Sequence, residues 1–364
     1  MKFRCERDVL TDAVSTAGRA AASRGGALPV LSGVRAELAG DRLTVTGSDL
    51  DLTISVSTTV NGEADGVAVI PAKLASDIVR SLEPGAVSFE VVDEEVRITS
   101  GRSDFSLRLI PADEFPHLAE PAGDAVTLSA SDFAAALHQV VPAASADDSR
   151  PILTGVLLAA EPEGLRLVAT DSYRLAVRDL PGTSVLAEGQ SVLVPSRALG
   201  ELGRLLGDAG EVTLRLGERD ASFEVSEVRL STRLIEGEFP NYRGLIPASH
   251  PNRLTVGREV LLDAVRRVRL MARESTPVRL VMKPDALELL AVTQDVGQAH
   301  EELDAKFDGT ELTVAFNPEF LIQGAEVTQG DEIILETIDA LKPALLKSAD
   351  SPEFLYLLMP VRVS

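Results

Sequence analysis

Three aspartates stand where a carboxylate could act on a substrate. Asp49, Asp171 and Asp295 each follow closely on an apolar run that reads as a strand. A strand-end aspartate more often accepts hydrogen bonds from its own turn. An enzyme is also expected to need one asymmetric site, whereas these acids recur along the chain. The four histidines, His117, His138, His250 and His300, lack the spacing of metal ligands. There is no Gly-rich phosphate loop closing on Lys-Ser or Lys-Thr, and no Gly-x-Ser-x-Gly turn. These residues point away from catalysis, bound metal and cofactors. A carboxylate-dependent cytosolic enzyme on a repeated scaffold stands as the second reading.

Binding chemistry is concentrated in Thr170-Asp171-Ser172-Tyr173-Arg174-Leu175-Ala176. The run at 165–169 before it is mostly apolar and reads as a largely buried strand. Small polar groups, an aromatic, a guanidinium and a leucine then follow. Such a surface corner offers apolar and hydrogen-bonding contacts together.

The elements that position this corner occur three times. Val9, Leu10, Ala13, Val14 and Ala17 form one helical stripe. The spacing returns at Phe133, Ala134, Leu137 and Val141, with His138 in the fourth slot, and at Val260, Leu261, Ala264, Val265 and Val268. Residues 28–34 match 150–156, and 277–280 occupy the third slot. A second helix begins near Pro71, Pro195 and Pro318, since a proline is tolerated at the first helical position. Behind it lie Leu74, Ile78 and Leu82 in the first copy, and Leu199, Leu202 and Leu206 in the second. Each copy closes with apolar strands that lead, in the first two, to Phe115-Pro116 and Phe239-Pro240. Pro71 to Pro195 is 124 residues and Pro195 to Pro318 is 123, far longer than a solenoid period. The reading is three α+β domains of one fold, 1–121, 122–249 and 250–364, with antiparallel sheets and helices on one face.

The net charge of −21 opposes nucleic-acid binding by bulk attraction. No apolar run approaches the ~20 residues that span a bilayer, and the N-terminus lacks a secretory h-region. The lone cysteine, Cys5, fits a reducing cytosol. A cytoplasmic protein without membrane contact is expected.

This order of features, with the corner at 170–176, Phe239-Pro240-Asn241-Tyr242-Arg243 and the terminal Met359-Pro360-Val361-Arg362, resembles the bacterial DNA polymerase sliding clamps, the β subunits of DNA polymerase III. The resemblance covers the whole chain. The family's corner usually reads Thr-Asp-Gly-His-Arg-Leu-Ala; here Ser172 and Tyr173 replace Gly and His. The resemblance implies a non-catalytic homodimeric ring of six domains around double-stranded DNA, helices lining the hole and sheets outside. It implies tethering of the DNA polymerase III catalytic subunit, opening by a clamp loader, and docking of other proteins with a clamp-binding motif.

Carried over residue by residue, the peptide pocket comprises Leu153, Thr170, Ser172, Tyr173, Arg174 and Leu175. It continues with Pro240, Arg243 and Leu245, then Leu357, Leu358, Met359, Pro360, Val361 and Arg362. Arg174 and Arg362 are expected to hold a peptide carbonyl or acidic side chain. A ring interface is implied at Phe105 and Leu107 on one side and Leu270 and Met271 on the other. A DNA-lining helix should be basic against the acidic background. Residues 258–273 carry five arginines against Glu259 and Asp263, a segment of +3 that leaves the remainder at −24. DNA-facing cations are therefore expected at Arg266, Arg267 and Arg269, joined by Arg24, Lys73, Arg80, Arg197 and Arg204.

Overall fold

The computed structural model describes residues 1–22, 28–116, 123–207, 209–272 and 276–362. Six helices follow the expected order: α1 (Arg7–Gly18), α2 (Ala72–Ser81), α3 (Ala130–Val140), α4 (Ser196–Leu206), α5 (Arg258–Arg269) and α6 (Pro318–Val327). Burial of Leu10, Ala13, Val14 and Ala17 in α1, and of Leu261, Ala264, Val265 and Val268 in α5, follows the apolar stripe. In α3 the buried set is Phe133, Ala136, Leu137 and Val140, so the stripe expected through Ala134 and Val141 is shifted and His138 is exposed. Alanine fills both faces of α3, which hid its phase. Of the three prolines only Pro318 occupies a first helical turn; Pro71 and Pro195 end the strands before α2 and α4.

Two units form. The first takes Met1–Ser131 with Arg197–Leu234, the second Asp132–Ser196 with Ile235–Ser364. The first holds an eight-stranded sheet, ordered Ala125–Ser129, Glu211–Leu216, Asp220–Val225, Val228–Arg233, Leu52–Thr59, Arg42–Ser48, Gly33–Ala39, Gly66–Pro71. Its five-stranded sheet runs Asn61–Ala64, Lys2–Glu6, Ala86–Val92, Glu95–Ser100, Ser103–Arg108. The second unit has a nine-stranded sheet: Ser191–Pro195, Gly155–Glu161, Gly164–Thr170, Arg174–Pro181, Phe354–Leu358, Ala344–Lys347, Glu332–Thr337, Asn252–Gly257, Lys306–Asp308. Its four-stranded sheet runs Gly297–Asp304, Ala286–Thr293, Val278–Lys283, Leu312–Phe316.

Among the described residues all the ladders are antiparallel, and two join consecutive repeats. Leu230 stands opposite Ile54 in one, and Tyr356 opposite Ala176 in the other. The strand that closes one repeat thus extends the hairpin of the repeat before it.

Each of those hairpins turns at a corner. Ser48 pairs with Thr53 and Thr170 with Leu175. Asp49 and Asp171 each accept two backbone N–H bonds of their turns, so these acids are structural. Asp295 is not their counterpart. The third hairpin pairs Thr293 with Gly297, one residue tighter, and Asp295 takes the left-handed conformation (φ 63°) that Leu50 and Ser172 hold elsewhere. The first corner also needs Gly47. A Cβ there would lie 2.0 Å from the Ala17 carbonyl oxygen, which no side chain can relieve.

Candidate docking site and charged surfaces

The Thr170 corner is held from inside. Thr170 Oγ1 donates to the Arg174 carbonyl at 2.6 Å and accepts from the Ser172 N–H at 3.1 Å. Asp171 Oδ1 accepts from the N–H groups of Tyr173 and Arg174 at 2.9 and 3.0 Å, and its Oδ2 accepts from Arg174 Nε at 3.0 Å. Arg174 Nη1 donates to the Tyr356 hydroxyl at 3.1 Å and to Gln323 of α6. Its guanidinium lies 4.5 Å from the centre of the Phe320 ring. Burial pushes the Tyr356 hydroxyl up to about 12, so it stays a neutral acceptor. Gly324 makes room for that tyrosine: a Cβ there would meet the ring at 2.6 Å. Arg174 is buried and its bonds are internal. Through Nε and Nη1 the guanidinium is bonded to Asp171, Gln323 and Tyr356, and this positions the corner.

Ser172 sits at φ 81°, where the family pattern has glycine. A Cβ there strains the backbone by about 1 kcal/mol. Arg150 Nη1 reaches Ser172 Oγ and the Asp171 carbonyl, both at 3.4 Å, and offsets part of it. Ser172→Gly is therefore expected to raise stability by about 0.5–1 kcal/mol, read as a higher midpoint in thermal unfolding. A lower midpoint would mean that the Arg150 contact outweighs the strain. Tyr173 is 60% exposed and stacks on Phe320 with centroids 6.4 Å apart.

Beside the corner lies an apolar patch. Val168, Leu175, Val177, Tyr242, Leu345 and Leu357 are buried together, and Leu157, Phe239, Ile246, Leu355 and Met359 pack partly buried against them. Met359 N–H donates to the Tyr173 carbonyl at 2.9 Å, which ties the terminal segment to the corner. The candidate residues divide by exposure. Thr170, Leu175, Leu357, Leu358 and Leu153 are buried, and of these Leu175 and Leu357 belong to the patch. Met359 and Pro360 are half-buried; Pro240, Leu245, Val361 and Arg362 are exposed. Arg243 pairs with Glu161 and lies 5.4 Å from the Tyr242 ring.

The first unit has the same backbone and different chemistry. Where the second unit has Leu157, Val168, Leu175, Val177, Leu355 and Leu357, ladder register puts Arg35, Thr46, Thr53, Ser55, Arg229 and Ser231. Hydroxyl pairs Thr44–Ser57 (3.2 Å), Thr46–Ser55 (2.9 Å) and Ser48–Thr53 (2.8 Å) cover this face. Such a face holds water well and gives an apolar peptide side chain nowhere to lose it.

The described candidate DNA-facing cations lie on helices, and most have carboxylate partners. Arg266 pairs with Glu326 (2.8 Å), Arg267 binds both oxygens of Glu301 (2.6 Å each), and Arg269 pairs with Glu319 (2.8 Å). Arg204 pairs with Glu201 at 2.6 Å and Arg197 with Asp49. Lys73 and Arg80 are exposed on α2, and Arg80 donates to Ser15 Oγ at 3.3 Å. Arg24 lies outside the described residues. Of the candidate interface residues, Phe105 is half-buried and Leu107 buried on the free edge of the five-stranded sheet. Leu270 is 81% exposed, and the half-buried Met271 accepts a hydrogen bond from Thr293 at its carbonyl, 2.5 Å away.

Sequence reasoning missed Phe320, Gln323 and Tyr356, which surround Arg174. The only available signal was position: Phe320 occupies the slot that Arg197 fills in the second repeat and Lys73 in the first. Cys5 has its thiol pushed up to about 11 by burial and is protonated at neutral pH. Among the described residues no cluster of His, Cys, Asp and Glu could hold a metal ion, and no helix is long and apolar enough to cross a membrane.

Comparison with known proteins gives one consistent result. Family models for the DNA polymerase III beta subunit match as its N-terminal domain over 1–119, central domain over 127–241 and C-terminal domain over 243–362. The beta sliding clamp of Streptomyces coelicolor is 34% identical over 381 residues and covers 100% of each chain. The crystal structure of the Bacillus subtilis sliding clamp superposes with a TM-score of 0.92 at 30% identity, with 100% of both chains covered. A sliding clamp from Bartonella birtlesii, solved bound to griselimycin, gives 0.93 at 32% identity over 100% of both chains.

Proposed function

Because this chain belongs to the DNA polymerase III beta subunit family, the beta sliding clamps, which are non-catalytic processivity factors of replication, we propose that it works as a cytoplasmic head-to-tail homodimer closed around duplex DNA. The fold is the three-domain DNA clamp, and we draw the domains at 1–121, 122–249 and 250–364. The DNA polymerase III catalytic subunit, the clamp loader and other proteins with a clamp-binding motif dock a short peptide on the apolar patch beside Thr170. Phe105 and Leu107 of one copy meet Leu270 and Met271 of the other.

The observation that carries this reading is the contrast between two like-built sheet faces. One is apolar and edged by Tyr173, Met359 and Pro360; the other is a lattice of hydroxyls and ion pairs. A tether with one peptide address per chain needs that asymmetry. The exposed arginines of α5 support a sequence-independent, salt-sensitive DNA contact. Topological linkage rather than affinity holds such a ring on DNA.

The test is retention. Once loaded on closed circular DNA, the protein is expected to stay through a high-salt wash and to leave when the circle is cut. A monomer in solution that is not retained on circles would overturn the reading and favour the enzyme alternative.

A further inference from the structure

The first unit holds a cavity of about 930 Å³ on its hydroxyl face, at the place where the second unit has its apolar patch. Ligand sites run from roughly 300 to 1,000 Å³. The two places share a wall and differ in floor. In the second unit Phe239 packs on the apolar patch. Its counterpart Phe115 lines the cavity together with Pro116, and Val30, Leu31 and Val69 fix it from behind. The floor is Thr44, Thr46, Ser55 and Ser57, bonded in two pairs. A pair of hydroxyls consumes one O–H and leaves the other, with spare lone pairs, for a ligand.

The charges around this floor nearly balance, and the remainder is negative. Arg35 pairs with Glu37 at 2.6 Å, Arg42 with Glu227 at 3.1 Å and Arg229 with Glu224 at 3.1 Å. Asp113, on the turn Ala112–Glu114 of the wall, is a fourth carboxylate in the lining. It is exposed and has no hydrogen-bond or ion-pair partner among the described residues. An anion entering here has to displace a carboxylate at each guanidinium it meets. A single cation finds a carboxylate that nothing answers. Phe115, two residues along the wall from Asp113, is half-buried and offers carbon surface to the methylene stem of a lysine.

We propose that this cavity binds a polar peptide segment of a partner protein, with one lysine set against Asp113 and its hydroxyl or amide neighbours on the Thr46–Ser55 floor. The site is separate from the apolar patch and does not depend on the ring. It takes a stretch of chain that the apolar patch rejects, so the two places sort peptides by chemistry. The ion pair is exposed, so binding is weak and falls with added salt.

Saturation-transfer NMR on the full chain suits weak binding and tests the site, with the blocked peptide acetyl-Gly-Ser-Lys-Ser-Gly-amide as the probe. This peptide is expected to bind at least tenfold more tightly than the same peptide with Glu in place of Lys. Asp113→Lys is expected to weaken the lysine peptide at least tenfold and to leave the affinity for a polymerase-derived peptide unchanged. Asp113→Asn, which changes one atom of an unbonded side chain, keeps the test open if the lysine variant folds poorly; it is expected to weaken the lysine peptide at least threefold at an unchanged thermal midpoint. Failure of the lysine peptide to bind, tighter binding of the glutamate peptide, or an affinity that survives both substitutions overturns the proposal. If both peptides weaken together at an unchanged midpoint, they share the apolar patch and the separate site is overturned.

Discussion

Arg174→Ala is expected to lower folding stability by about 3–5 kcal/mol, the usual cost of removing one member of a buried ion pair. The side chains of Arg174 and Asp171 are both largely shielded from water. Without the guanidinium, the Asp171 carboxylate keeps its turn bonds but loses its charge partner. Gln323, the Tyr356 hydroxyl and the Phe320 ring lose their shared neighbour as well. Arg174→Lys should not rescue it, since a single ammonium cannot reach Asp171, Gln323 and Tyr356 and still lie flat on Phe320. The denaturant midpoint of the purified variants checks this. A change below about 1 kcal/mol would mean that the corner is held by its backbone turn alone.

Ending the chain after Leu358 is expected to weaken binding of a polymerase-derived peptide by at least about 100-fold, or about 2.7 kcal/mol. The truncation removes two backbone ties, Met359 N–H to the Tyr173 carbonyl at 2.9 Å and Val361 N–H to the Ala315 carbonyl at 2.7 Å. It also removes the Met359 side chain from the patch of Leu175, Val177 and Tyr242. A flexible thioether suits a wall that must accept several partners. The strand Phe354–Leu358 keeps its ladder on both sides, so folding should survive. Fluorescence anisotropy with a labelled peptide measures the effect, and unchanged affinity would exclude the terminal segment from the site.

The threefold organisation was legible because its signals are local: apolar spacing in the helices, turn residues at hairpins and a period near 123. The joins between repeats were not. Nothing near Leu230 in sequence says that it pairs with Ile54, because that choice is made by which edge each repeat leaves open. Asp295 looked like a copy of Asp49 and Asp171, but a hairpin shorter by one residue moved it into the left-handed slot. Arg174 was legible as special, but not its partners Gln323 and Tyr356, which lie far along the chain. The charge of α5 was visible, whereas the carboxylates that answer it, Glu301, Glu319 and Glu326, come from other elements.

On the surface proposed to face DNA, those carboxylates bear on motion along the duplex. A phosphate that approaches Arg266, Arg267 or Arg269 finds each guanidinium already facing an anion, and contact exchanges one anion for another. Water screens exposed pairs of this kind, so each is weak, and the exchange leaves little net gain or loss. The free-energy profile along the duplex is then nearly flat from one base-pair step to the next. A collar lined this way has low friction: it drifts with the polymerase it carries, and its grip comes from closure of the ring, not from adhesion to the track.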